Sequence, residues 1–250
     1  MIKIRSAFAS DVGRRRSNNQ DNGIAISDLG LCLVADGMGG HKGGETASKI
    51  VAETFKELYP VSSGSILDRL EGALQEAHRR IYSLSQKEES LQGMGTTTTC
   101  LAIDPAQNPQ QAIVVHVGDS RCYFLQKGAI WQVTRDHSLV QEKVRAGLIK
   151  REQIKEDMMR NVITRSVGFE PQIQMDSYAL SVHSGDWFLL CSDGLTGQLE
   201  DDEILKIADE FRSASGPGSA DLESCARKLI ALANENGGDD NISVGILEIL

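Results

Sequence analysis

Four places in the 250-residue chain set an aspartate at the rim of an apolar run: LCLVADGMGG, VVHVGDSR, FLLCSDGL and GGDDNISVGIL. Taken singly, an aspartate beside a glycine is a turn signal. Taken together, Asp36, Asp119 and Asp193 follow strand-like runs while Asp240 precedes one. In an antiparallel arrangement the C-terminal ends of some strands share an edge with the N-terminal end of another, so the four carboxylates can converge. Like charges a few Å apart raise each other's pKa and oppose ionisation, a penalty that divalent cations remove. Oxygen ligands without a His or Cys cluster select Mg²⁺ or Mn²⁺ over zinc. Two such ions about 3.5 to 4 Å apart lower the pKa of a bridging water and supply hydroxide near neutral pH. The neighbouring glycines let backbone carbonyls approach the ions. Arg16, in GRRRSNNQDN, adds a planar guanidinium able to bind two phosphate oxygens at once.

The elements that must position these groups are partly visible. Residues 31–35, 112–117, 187–191 and 242–250 are short, continuously apolar and rich in β-branched residues, which predicts strands, some buried on both faces. Leu67, Leu70, Leu74, Ala77, Ile81 and Leu84 recur at steps of three and four, which predicts a long amphipathic helix. A second helix is expected over 45–58, with Ala47, Ile50, Val51, Thr54, Phe55 and Leu58 inward. A third is expected over about 220–236, with Leu222, Cys225, Leu229 and Leu232 inward and Gly237 at its C-terminal cap. Residues 138–166 are polar and of mixed charge, and read as one or two short helices forming either a mobile flap or a solvated hairpin.

Composition bounds the rest. A length of 250 residues and 40% apolar content suit one large domain with a sizeable core. The net charge of -9 leaves no basic surplus for a nucleic-acid backbone. Five widely spaced cysteines, at 32, 100, 122, 191 and 225, sit in apolar surroundings and read as buried, reduced thiols. No apolar run reaches the roughly 18 residues that span a bilayer, and the N-terminal residues lack a signal peptide's apolar stretch. A cytoplasmic protein with no membrane partner is the expectation, and nothing requires more than a monomer.

The ordered motifs RSNNQDN, VADGMGGHKGGE, GMGTTTT, HVGDSRCY, TRDHS, SDGL and GGDDNIS resemble those of the metal-dependent PPM, or PP2C-like, serine/threonine phosphatases, particularly the compact bacterial members. The resemblance covers essentially the whole chain. It implies an α+β fold, a central antiparallel β-sandwich flanked by helices on both faces, with a small helical flap at about 138–168 near the site. It implies a binuclear centre of Mn²⁺ or Mg²⁺ that Asp36 bridges, with the Gly37 carbonyl as a further donor. Asp193 and Asp240 would complete the first ion's shell, and Asp119 with Asp193 would hold a third, weaker ion. Asp21 would act through metal-bound water. By the same matching, Arg16 holds the substrate phosphate while the bridging hydroxide attacks phosphorus in line. His41 either donates a proton to the leaving serine or threonine oxygen or only orders water. Ser166 would shape substrate access, and His137 is assigned a structural part. Where the family carries an acidic residue this chain has Gln20, which brings no charge to the second ion.

Rival chemistries find less support. A cysteine-dependent phosphatase needs an arginine six positions after its cysteine, and the five candidates are Met38, Ala106, Gly128, Gly197 and Ala231. The DxDx[TV], GDxHG and GNHE signatures are missing. A phosphoprotein-binding pseudophosphatase remains the alternative, disfavoured because the four aspartates and Arg16 are all retained. A metal-dependent nuclease is disfavoured by the acidic balance. Phosphorylated proteins, the targets of a partner Ser/Thr kinase, are the expected substrates.

Overall fold

The structure, a computed structural model, describes residues 3–105, 108–214 and 218–250; the side chains of residues 41, 108–110, 155 and 214 lie outside the description. The first apolar run shows how its layers form. In β3 (Leu31–Met38) the side chains of Leu31, Leu33 and Ala35 enter one core and those of Cys32 and Val34 another, and all five are fully buried. A strand covered on both faces needs apolar residues at every position, so the run is continuous where a half-exposed strand would alternate.

Two antiparallel sheets face each other. One has the order β1 (Ile4–Asp11), β11 (Ile242–Ile249), β10 (Trp187–Cys191), β7 (Arg121–Gln126), β8 (Ala129–Gln132). The other runs β2 (Asp21–Ile26), β3, β5 (Thr98–Asp104), β6 (Asn108–Val117), β9 (Asp176–Ser181), with β4 (Gly95–Thr96) on β3. Cys32, Val34, Leu101, Val114, Leu190 and Leu247 fill the space between the sheets. Helices α1 (Gly40–Leu58) and α2 (Ile66–Lys87) cover the second sheet, with Val51, Phe55, Leu70 and Leu74 against Leu31, Leu33 and Cys100. Helices α5 (Asp201–Ala214) and α6 (Leu222–Glu235) cover the first, with Ile204, Ile207, Cys225 and Leu229 against Trp187, Leu189 and Val244. The result is the α-β-β-α sandwich that the resemblance implies.

The helix boundaries differ from expectation in one informative place. Helix α1 starts at Gly40, five residues before the expected Glu45, and takes in the glycines of GHKGG. These glycines serve close packing. A Cβ on Gly44 would lie 2.6 Å from the carbonyl carbon of Gly37 and one on Gly43 would lie 2.9 Å from Cβ of Met94, so the helix start rests directly on the strand that carries Asp36. At the end of α6, Gly237 N–H bonds the Asn234 carbonyl and Gly238 N–H the Ala233 carbonyl, the pairing of a Schellman cap with Gly237 at the expected position. Helix α5 was not anticipated, although Ile204, Ile207, Ala208 and Phe211 carry its spacing.

Residues 138–166 hold α3 (Leu139–Arg145) and a 3₁₀ turn at Arg151–Glu156. Their base is closed by Leu139 N–H on the Val162 carbonyl at 2.8 Å and Thr164 N–H on the His137 carbonyl at 2.8 Å. His137 itself is buried and packs its ring 4.7 Å from that of His116. All five cysteines are free and buried. Among the described residues no helix is long and apolar enough to cross a membrane.

Candidate metal centre

Strand register brings the first two carboxylates together: Asp21 in β2 lies directly opposite Asp36 in β3. Asp119 follows β6 by two residues, Asp193 opens the short helix α4 (Asp193–Thr196) after β10, and Asp240 stands two residues before β11. The two sheets thus deliver carboxylates to one edge, as the strand-end pattern requires. The backbone of Asp36 is fixed at both polar atoms. Its N–H donates to Thr97 Oγ1 at 3.0 Å, and its carbonyl accepts from Thr97 N–H and Thr96 Oγ1, each at 2.8 Å. Thr97 Oγ1 also shares a hydrogen bond of 2.7 Å with Ser120, the residue after Asp119. One short chain of hydroxyls therefore connects the Asp36 and Asp119 positions.

The carboxyls feel both burial and one another's charge. Burial, followed by the charges of Asp21, Asp193, Asp119 and Asp240, pushes the Asp36 carboxyl well above the ordinary carboxylate range. Burial pushes Asp21 up to about 7 against the pull of hydrogen bonds from Ser192 and Ser243. Burial and the charge of Asp193 raise Asp119 strongly. Asp193 is raised by burial and Asp240, and a hydrogen bond with Asp36 pulls it back. Four carboxyls whose ionisation is opposed in this way, with Asp240 beside them, need positive charge among them.

Part of that charge is supplied by Arg16, whose Nη2 donates to Asp240 Oδ2 at 2.6 Å and whose pKa the hydrogen bond and charge of Asp240 raise further. The remainder is unmet. Asp21 Oδ1, Asp119 Oδ1 and Asp193 Oδ1 are buried, and none has a hydrogen-bond partner in the protein. Such oxygens are costly unless something binds them. Among the described residues no three His, Cys, Asp or Glu side chains enclose an ion by themselves. The donor set instead fits a hard cation held by one or two carboxylates, with a carbonyl and water completing its shell, as Mg²⁺ prefers. Asp239 is turned elsewhere, to Arg15 Nε at 3.0 Å and Gln198 Nε2 at 3.1 Å.

Gly37 is buried beside Asp36, its N–H on the Gln20 carbonyl at 3.2 Å. Gln20 Nε2 donates to the Gly40 carbonyl at 2.6 Å, a bond that an acidic side chain there would lack. Its neutral amide thus ties the strand carrying Asp21 to the start of α1. His41 lies in that first turn, but its side chain is outside the described residues. Ser166 is half-buried, and its hydroxyl borders Gly95. A cleft of about 640 Å³ runs from Asp119, Asp193 and Asp240 between residues 138–161 on one side and 194–202 on the other. Its volume lies within the range of small-ligand clefts.

Sequence reasoning missed Thr96, Thr97, Ser120, Ser192 and Asn241. Each lies inside a quoted motif, but only the folded strands reveal what it holds. Ser192 Oγ donates to Asp21 Oδ2 at 2.8 Å, and Asn241 N–H to Asp240 Oδ1 at 2.8 Å.

This geometry has close counterparts. Residues 13–227 match the family model described as protein phosphatase 2C. The chain is 34% identical to the serine/threonine phosphatase stp of Listeria monocytogenes serotype 4b, over 98% of this chain and 96% of that one. Among solved structures it is similar to the Mycobacterium tuberculosis serine/threonine phosphatase PstP/Ppp, with a TM-score of 0.86, 32% identity and 98% of each chain covered. The catalytic domain of the phosphatase PstP in complex with two manganese ions superposes with a TM-score of 0.86 at 31% identity, over 100% of both chains. The carboxylate edge, the α-β-β-α sandwich around it and these full-length likenesses agree: the chain belongs to the protein phosphatase 2C family.

Proposed function

We propose that the protein is a metal-dependent phosphatase of phosphoserine and phosphothreonine in proteins. The observation that carries the reading is the edge where burial and neighbouring charge raise the carboxyls of Asp21, Asp36, Asp119 and Asp193 beside Asp240, and three buried carboxylate oxygens lack a partner. Two ions of Mn²⁺ or Mg²⁺, when bound, supply hydroxide near neutral pH and neutralise the cluster. Asp36, the Gly37 carbonyl, Asp193 and Asp240 would hold them, with Asp21 acting through water and Asp119 reserved for a third, weaker ion. Arg16 holds the phosphate; its guanidinium lies at the carboxylate edge, bonded to Asp240. His41, in the first turn of α1, is the assigned proton donor to the leaving oxygen.

The same reading takes residues 1–250 as one domain with 138–168 as its flap. It also takes the protein as a cytoplasmic monomer acting on targets of a Ser/Thr kinase. The deciding experiment is hydrolysis of a phosphothreonine peptide in Mn²⁺, in EDTA, and by Asp36→Asn and Asp193→Asn. Turnover should vanish in EDTA and fall by about 10²-fold or more in either variant. Activity without metal, or full activity in the variants, would overturn the mechanism.

A further inference from the structure

The loop that carries Arg16 leaves β1 after Asp11 and returns to β2 at Asp21. It is longer than a tight hairpin and lacks regular structure, so its shape depends on what ties its ends. Asn241 ties both. Its Nδ2 donates to the carbonyl of Val12 at 2.9 Å, where the loop begins, and to that of Asn18 at 3.0 Å, where it ends. Its Oδ1 accepts from Gln20 N–H at 2.8 Å. Two carbonyls at one end of the amide and an N–H at the other fix which atom is nitrogen. The side chain is buried, so each of these bonds would be costly to lose.

The crown of the loop rests on the same segment. Arg14 N–H and Arg15 N–H donate to the Gly238 carbonyl at 2.7 and 3.2 Å. Gly13, at φ 81°, lies so close to the Asp240 carbonyl that no Cβ could be accommodated. Arg16 then reaches Asp240, the residue before Asn241.

We infer that Asn241 is a positioning residue for phosphate recognition: it clamps both ends of the 12–20 loop and holds Arg16 where the substrate phosphate must bind. The inference rests on the phosphatase reading for its kinetic consequence and on loop structure alone for its physical one. Its backbone N–H, not its side chain, serves Asp240, so a side-chain substitution separates the loop from the metal ligand.

The test uses the full chain with Mn²⁺ and the variants Asn241→Leu, Asn241→Asp and Arg16→Ala, plus each Asn241 change combined with Arg16→Ala. Both Asn241 variants should raise KM for a phosphothreonine peptide about tenfold, with kcat changed less than about threefold. In the Arg16→Ala background they should add nothing further, the coupling expected of residues acting through one another. Asn241→Leu, which adds no charge, should leave the Mn²⁺ isotherm unchanged by calorimetry, while amide exchange across 14–20 accelerates. A thermal melt establishes that each variant is folded, and Asn241→Asp, nearly the same shape, serves if the leucine variant is not. Additive KM effects, a loss confined to kcat, or unchanged exchange in the loop would overturn the assignment. If the parent protein turns over no phosphopeptide, the phosphatase reading fails. Loop exchange and binding of inorganic phosphate by the Mn²⁺-loaded variants then decide this inference by themselves.

Discussion

At the residue scale, the carboxylate edge works against the stability of the metal-free protein. The Asp21 carboxyl is raised from its ordinary 3.8 to about 7, so between those pH values the folded chain keeps a proton that the unfolded chain has released. Stability linked to this group is therefore present at low pH and is lost as pH rises from about 4 to about 7. In EDTA the melting temperature should fall by roughly 5 °C between pH 5 and pH 8, and saturating Mn²⁺ should remove most of that fall. A flat EDTA profile would mean that Asp21 titrates normally. Asp36→Asn replaces a carboxyl whose ionisation burial and its neighbours oppose, so its metal-free melting temperature near neutral pH should rise by a few degrees while the Mn²⁺-induced shift disappears. Differential scanning fluorimetry with and without metal reads both effects.

At the scale of elements, α1 meets β3 backbone to backbone at Gly44 and Gly37. Gly44→Ala would have to displace the strand that carries Asp36, so it should cost about 1–3 kcal/mol and weaken Mn²⁺ binding as well. Ser65→Ala, which removes the capping box of α2 far from the site, should cost about 1 kcal/mol and leave Mn²⁺ binding alone. Urea melts and calorimetry on the two variants separate a local packing cost from one transmitted to the centre. The contrast also explains what was legible in advance. β10 and α2 could be read because each buries a continuous run or one helical face in sequence order. The start of α1 could not, because its glycines answer to Gly37 and Met94, neighbours invisible to a local pattern. The aspartates were legible as strand-end signals. The roles of Thr97, Ser120 and Asn241 were not, since each depends on a partner brought near by strand pairing.

At the scale of the molecule, three apolar layers enclose every thiol. Burial pushes Cys32, Cys191 and Cys225 up to about 12, and outweighs the nearby groups that favour their thiolates, Arg121 for Cys191 and Arg212 and Lys228 for Cys225. Native protein should react with far less than one equivalent of a thiol reagent such as DTNB, and unfolded protein with five. Fast labelling under native conditions would mean that a core opens. The same architecture sets a condition on when the protein becomes active. Arg16 and Asp240 are 224 positions apart in sequence, and β1 pairs along its whole length with β11. A ribosome making this chain at about 5–20 residues per second has exposed Arg16, Asp21 and Asp36 many seconds before Asp240 exists. Until β11 emerges, the nascent chain carries an incomplete carboxylate cluster and a 12–20 loop without its ties to Asn241. Catalysis therefore waits for the last strand, so a chain cut short during synthesis is released without activity toward the cell's phosphoproteins.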